Sequence, residues 1–394
     1  MDTGDTSWIL TSTALVLFMT LPGLALFYGG LVNSKNVISV LMHCIVIACL
    51  ASILWLVIAY SLAFSDGNPL IGGLSNIFLS DVGKDTLSGT IPETLFFMFQ
   101  MTFAIITPAL IIGAYVERIK FSAVLIFSAL WLIIIYAPVT HWIWGGGWLA
   151  EQNIMDFAGG LVVHLTAGVS ALVLAVILGR RKNFPDKISA PHNPSMVMIG
   201  ASMLWVGWFG FNGFSQLAMG TFTDATAITK IAVNTHLAGA AGVVTGAIVT
   251  RTVGGKTDII MMLNGALAGL VAITAEPLTP TPFQAIIIGS IGSVIMYYGT
   301  KFLESQRLDD VVGAIPVHMF AGIWGTLAVP ITNVKTSFVT QLLGTISVCV
   351  FSFVLSYIAF KAMKETIGIR ISKKAEKLGT DVSEIGVAAY AIRD

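Results

Sequence analysis

Charge is the scarcest commodity in this sequence. Asp, Glu, Lys and Arg make up 11% of 394 residues, less than half of the roughly 25% typical of soluble domains. That scarcity excludes a soluble fold. The formal net charge is zero, so the basic footprint of a nucleic-acid-binding protein is missing. Cysteine is nearly absent too. Cys44, Cys49 and Cys349 all fall in apolar runs, and no disulfide or metal site is expected. Cys44 and Cys49 share one helix, where five residues separate them by about 7.5 Å along the axis. The N-terminus, MDTGDTSW, has Asp2 and Asp5 where a signal peptide has positive charge, so the first apolar stretch is read as a retained helix.

What is present is hydrophobic length. Hydrophobic residues make up 56% of the chain, with 39 glycines among the rest. Apolar runs of about 20 residues can cross a bilayer core. Eleven are expected, over 8–31, 37–64, 91–116, 121–139, 156–179, 194–219, 225–250, 257–275, 282–303, 311–333 and 337–363. The fold class is all-α and polytopic, with residues 1–363 as one transmembrane domain and 364–394 as a polar cytoplasmic tail.

Lysine and arginine set the expected orientation. One set of connections carries Lys35, Arg118, Lys120, Arg180, Arg181, Lys182, Lys187, Arg251, Lys256, Lys301 and Arg307, with seven more toward the C-terminus. The other set carries only Lys84, Lys230 and Lys335. This split of 18 to 3 predicts an outside N-terminus and a cytoplasmic C-terminus in the cell (inner) membrane.

Two histidines stand in matching settings. V-H-x-x-A-G occurs at 163–168 and again at 317–322, around His164 and His318. The histidines lie in spans five and ten. Five spans per repeat invert the second copy, and equivalent helices then meet near the membrane midplane. The expected architecture is an inverted five-helix repeat plus one extra helix. One buried histidine alone reads as packing. Two in equivalent positions read as a site, because ionisable groups at membrane depth are costly and line paths. Gly159, Gly160, Ala167, Gly168, Ala321 and Gly322 let the helices approach closely. Apolar surroundings favour neutral imidazole, and a neutral pair still offers a donor or an acceptor to a polar guest.

A second group is aromatic. "THWIWGGGW" (140–148) places Trp142, Trp144 and Trp148 in an outer loop. "WVGWFGFNGFSQ" (205–216) brings Trp208, Phe211, Phe214 and Ser215, and "MFQMTFAIITPA" (98–109) adds Phe103. These residues read either as an interfacial belt or as an aromatic cup for a small cation. Asp156 reads as a nearby carboxylate or as a helix cap. His43, His141, His192 and His236 show no ligand spacing and read as structural. No nucleophile with a base and an orienting group is apparent, so an enzyme is not expected. No cofactor is expected either.

The strings "FYGGLV", "ERIKFSAVLIF", "HWIWGGGWL", "DFAGGLVVHLTAG", "PHNPSMV", "GWFGFN", "NGALAGLVAITA" and "DDVVGAIPVH" occur in this order across the chain. Together they resemble the Amt/Rh ammonium transporters. The resemblance implies a homotrimer with one pore per subunit, and ammonium or ammonia as substrate. It implies an outer ammonium site at Trp144 and Ser215 with Phe103 and Asp156, and a gate of Phe103 and Phe211. It further implies a pore with the twin histidines His164 and His318 and with Trp208. Departures from the family pattern are Met319, Phe214, Leu161 and Gly313. Bulk at Phe214 and Met319 is expected to restrict the pore. In the tail, "SEIGVAAY" departs from E-H-G-E-x-A-Y, which bears on a PII-type regulator. An ammonium sensor on the same scaffold is the alternative expectation, with a signalling domain attached near "AAYAIRD".

Overall fold

The computed structural model describes residues 1–186 and 188–390, with Phe214 described in its backbone alone. Lys187 lies outside the described residues. Eleven apolar helices build the molecule. They are α1 (Thr3–Leu31), α2 (Val37–Phe64), α3 (Glu93–Ala114), α4 (Phe121–Glu151), α5 (Gly160–Leu178), α6 (Pro194–Gly213), α7 (Phe222–Gly254), α8 (Ile259–Thr274), α9 (Pro282–Ser305), α10 (Ile315–Thr332) and α11 (Phe338–Thr366).

By length and composition, ten of these can cross a membrane among the described residues. The exception is α8, at Ile259–Thr274. Its 16 residues reach about 24 Å at 1.5 Å per residue, short of a ~30 Å hydrocarbon core. It is held at both ends instead. Asp258 caps its start through the N–H groups of Ile260 and Met261, and the carbonyls of Thr274 and Ala275 accept from Ala158 and Phe157 at its end.

Most helices lack a polar face because lipid or other helices surround them. Small residues set the crossings. A Cβ added at Gly168 would meet the backbone and Cβ of Met319, so α5 and α10 touch main chain to main chain. Inside the bundle, hydroxyls bond across helices. Ser170 accepts from Trp131 Nε1 at 2.8 Å and contacts Ser356 Oγ at 2.9 Å, joining α4, α5 and α11. Cys44 is buried and Cys49 exposed on α2, and both are free.

The aromatic segment after span four differs from expectation. The α-helical part of α4 continues through Ile143, so Trp142 is helical and buried rather than part of a loop. The chain then turns and forms a short helical segment at Trp148–Glu151. His141 ties this corner to the end of α2 and the segment after it. Its ring nitrogens lie 3.0 Å from the Ala63 carbonyl and 2.9 Å from that of Asn68.

The C-terminal segment is not a free tail. Lys120 N–H donates to the Ile369 carbonyl, and Ile371 N–H donates to that of Arg118. Asp381 accepts from Ser39 N–H at 2.8 Å, in the first turn of α2. Glu384 accepts from Phe121 N–H at 3.0 Å, the first residue of α4. Carboxylates at helix N-termini satisfy otherwise unpaired donors and complement the helix dipole. Tyr390 closes the segment against His192, 2.9 Å from Nε2. Among the described residues His192 Nδ1 faces only the Val32 carbonyl, at 2.9 Å, so Nδ1 carries the proton and Nε2 accepts from the Tyr390 hydroxyl. The side of the bundle bearing these contacts is called the tail face below.

A buried charge cluster fixes the loops of that face. Arg118 is fully buried and donates to the carbonyls of Ala114, Gly179 and Asp309. Arg181 grips the Asp309 carboxylate with two nitrogens and Glu117 with a third, at 2.8 Å to each partner's nearest oxygen. Burial acts to raise the Asp309 carboxyl, but hydrogen bonds from Arg181 and the charge of Arg118 outweigh it, and the group sits below its ordinary value. Burial moves Arg118 the other way, down to about 10, against the pull of Asp309.

Candidate functional site

The two histidines meet. His318 Nδ1 lies 3.2 Å from His164 Nδ1, and the rings are 9° from parallel. Both are buried, at 1% and 4% exposure. A bond between two Nδ1 atoms needs one protonated and one bare nitrogen. Two cations at this distance would repel in an apolar setting, so the two rings are not both charged.

Local sequence explains how each ring is aimed inward. Asp156 accepts from the N–H groups of Gly159, Gly160, Leu161 and Val162, at 2.6 to 3.0 Å. Asp310 accepts from Gly313, Ala314 and Ile315, at 2.7 to 3.2 Å. Gly159 at φ +110 and Gly313 at φ +82 occupy backbone that favours glycine. Each histidine then falls in a π-helical turn, Gly160–Leu165 or Ile315–Phe320. Such turns widen a helix and often mark functional positions. The sequence signal is D-x-x-G-x-x-x-x-H, present at 156–164 and at 310–318. It was available beside V-H-x-x-A-G, and it brings in Asp310, which the expected site omits.

Aromatic rings continue from the histidines. Trp208 and Phe211 stack on His164, with centroids 5.5 and 5.7 Å away. Phe103 lies 4.5 Å from Phe211, tilted by 41°. Trp144 stands edge-on to Phe103 at 5.7 Å. The series Trp144, Phe103, Phe211, His164, His318 is therefore unbroken. Trp144 Nε1 donates to the Asp156 carbonyl at 2.8 Å. Trp208 Nε1 donates to Thr274 Oγ1 at 2.9 Å, so the short helix α8 holds a ring in place. Asn264, also on α8, donates to the Val312 carbonyl. Neither Thr274 nor Asn264 is among the expected site residues. Their only signal is a polar side chain in an apolar run.

Beside the histidines is a cavity of about 20 Å³, lined among others by Ile106, Leu110, Leu204, Leu267 and Val317. That is space for about one water-sized molecule. His164 Nε2 is buried and has no hydrogen-bond partner among the described residues.

The chain matches the Ammonium Transporter Family over residues 7–390. It is 40% identical to the "Ammonium transporter" of Bacillus subtilis (strain 168), covering 99% of both chains. It is 36% identical to "Ammonium transporter Amt1" of Archaeoglobus fulgidus, covering 99% of this chain and all of that one. The chain belongs to the ammonium transporter family. Among solved structures, a "Sensor Amt Protein" superposes with a TM-score of 0.90 at 31% identity, covering 97% of this chain and 98% of the other. Candida albicans Mep2 superposes with 0.88 at 31% identity, covering 99% and 90%. Membership makes this a multi-pass membrane transporter and not an enzyme.

Some expected residues of this family member lie apart from the ring series or act indirectly. The Asp156 carboxylate gives its bonds to the α5 backbone and only its carbonyl to Trp144. It therefore positions the start of α5 and the Trp144 ring, as the capping reading requires. Ser215 sits on the turn after α6, its hydroxyl 3.2 Å from the Phe211 carbonyl, which leaves oxygen lone pairs available. Met319 packs against Gly168 and is not on the wall of the histidine cavity. The expectation that it narrows the pore finds no support in that packing. The Phe214 side chain lies outside the described residues. No group of three or more metal-ligating residues occurs among those described.

Proposed function

We propose that ammonium is recruited between Trp144, Phe103 and Ser215 and leaves its proton at that outer end. Ammonia then passes Phe103 and Phe211 and moves along the twin histidines toward the tail face. The unbroken ring series ending in the hydrogen-bonded His164–His318 pair carries this reading. Ring faces attract a small cation by about 0.5–2 kcal/mol. An apolar passage then penalises any ion that must shed water, whereas neutral ammonia loses little. The histidine pair offers ammonia a polar contact without a charge. The same penalty excludes potassium. The chain would work as a homotrimer in the cell (inner) membrane, N-terminus outside and tail in the cytoplasm, where a PII-type regulator could reach it. Flux of ammonium or methylammonium into proteoliposomes of purified protein tests the reading, and binding without flux would overturn it.

The second reading is a sensor on the same scaffold, signalling through the tail. Likeness to a protein described as a sensor favours it, as does a tail whose Asp381 and Glu384 seat on the ends of α2 and α4. Robust conductance would end a sensor-only role.

A further inference from the structure

The tail face carries a second cavity of about 640 Å³, unrelated to the ring series. Its size lies within the roughly 300–1,000 Å³ of small-molecule sites. Four segments wall it: 33–36 after α1, Glu117 between α3 and α4, the connection following α5, and 370–377 in the tail.

Charge distinguishes it. Seven lining residues are cationic and two are acidic. Both carboxylates are already engaged. Glu117 takes Arg181 and the Asn33 N–H, and Glu376 takes Arg370 and the Lys182 N–H. Lys35 is occupied by the carbonyls of Glu376 and Lys377. The side chains of Arg180, Lys182, Lys373 and Lys377 then remain around one opening with no hydrogen-bonded or ion-pair partner among the described residues. Like charges gathered without counter-charge repel, and a multivalent anion relieves that repulsion. A general bias of lysine and arginine toward the cytoplasm accounts for their number, but not for their convergence on a concave surface while both local acids are spent.

We propose that this cavity binds a small, soluble, phosphate-rich anion of the nucleoside triphosphate or inorganic polyphosphate class. Arg180 and Lys182 reach it from the body, and Lys373 and Lys377 from the tail. The ligand thereby bridges two parts of the chain and holds the tail in its docked position. Phosphate groups bind guanidinium and ammonium donors through short, charge-assisted hydrogen bonds.

The test uses the full chain in phosphatidylcholine nanodiscs, without ammonium, so its outcome is independent of transport. Titration calorimetry with magnesium-free ATP and with inorganic triphosphate is expected to show saturable, salt-sensitive binding of at least one. Arg180→Gln/Lys182→Gln/Lys373→Gln is expected to weaken it at least tenfold. The same charge loss elsewhere, Arg251→Gln/Lys256→Gln/Lys301→Gln, is expected to leave it within threefold. Ligand should slow hydrogen exchange over 370–385 at least threefold. Absence of binding by both probes, or equal weakening by the two triple variants, overturns the proposal. Loss of binding when phosphatidylglycerol replaces phosphatidylcholine assigns the site to a lipid headgroup and also overturns it.

Discussion

His164 and His318 share one proton between Nδ1 atoms 3.2 Å apart, at one end of a continuous series of aromatic rings. One ring must donate and the other accept, so each has a different remaining nitrogen to show a guest. Replacing both by alanine removes that polarity and opens space. His164→Ala/His318→Ala is expected to abolish transport or to admit potassium, with folding retained. Proteoliposome flux with competing potassium measures this. Unchanged flux and selectivity would take the pair out of the pathway.

Trp144 contributes a ring at the end of that series away from the histidines. Trp144→Leu keeps apolar bulk and removes the quadrupole. A loss of about 0.5–2 kcal/mol corresponds to a half-saturating ammonium concentration raised roughly 2- to 30-fold. Initial rates against concentration read it out. An unchanged curve would show that capture does not use this ring.

Asp156 and Asp310 do equivalent work at the starts of α5 and α10. Asp156→Asn turns an acceptor-only carboxylate into a group that aims two donors at backbone N–H. About 1–3 kcal/mol of stability is expected to be lost, seen as a lower unfolding midpoint in detergent. The half-saturating concentration should shift as well, because the Asp156 carbonyl holds Trp144. A normal midpoint would mean the helix start does not depend on the carboxylate.

Asp309 neutralises a guanidinium with no exposed side-chain surface. Asp309→Asn leaves Arg118 buried without its counter-charge, and a cost of about 3 kcal/mol is expected. The native carboxyl titrates below its ordinary value of 3.8. A depressed acid contributes stability that is full above the unfolded value and is lost as pH falls through the folded one. The wild type should therefore lose midpoint below about pH 4, and the variant should lose less over that interval. Parallel pH profiles would remove Asp309 from the account.

Met319→Ala keeps the N, Cα and Cβ atoms that meet Gly168 and removes only the rest of the side chain. A residue off the cavity wall should change stability before flux, so wild-type flux per folded molecule is expected. A several-fold rise in flux would return Met319 to the pathway.

Membership of the bundle was legible because apolar length is local. Runs of about 20 residues can be read without knowing what they touch, and α8 was misjudged only in its extent. The twin histidines were legible because V-H-x-x-A-G repeats. Upstream, the repeated D-x-x-G-x-x-x-x-H spacing marks Asp310, but only its carboxylate on the α10 backbone shows what it does. Thr274 and Asn264 showed only a polar side chain in an apolar run, and a lone polar residue in a helix does not reveal which neighbour it bonds.

The sequence by itself determined a helical membrane protein, its paired histidines and its aromatic-rich segments, since hydrophobic length and repeated motifs are properties of neighbours in the chain. Only the tertiary structure decided that the rings form one series, that each histidine occupies a π turn, that Met319 faces Gly168, and that the tail caps α2 and α4. Those are distances and hydrogen-bond registers between residues up to 342 positions apart. They arise when close backbone crossings exclude every other arrangement, and nothing in the order of residues states them.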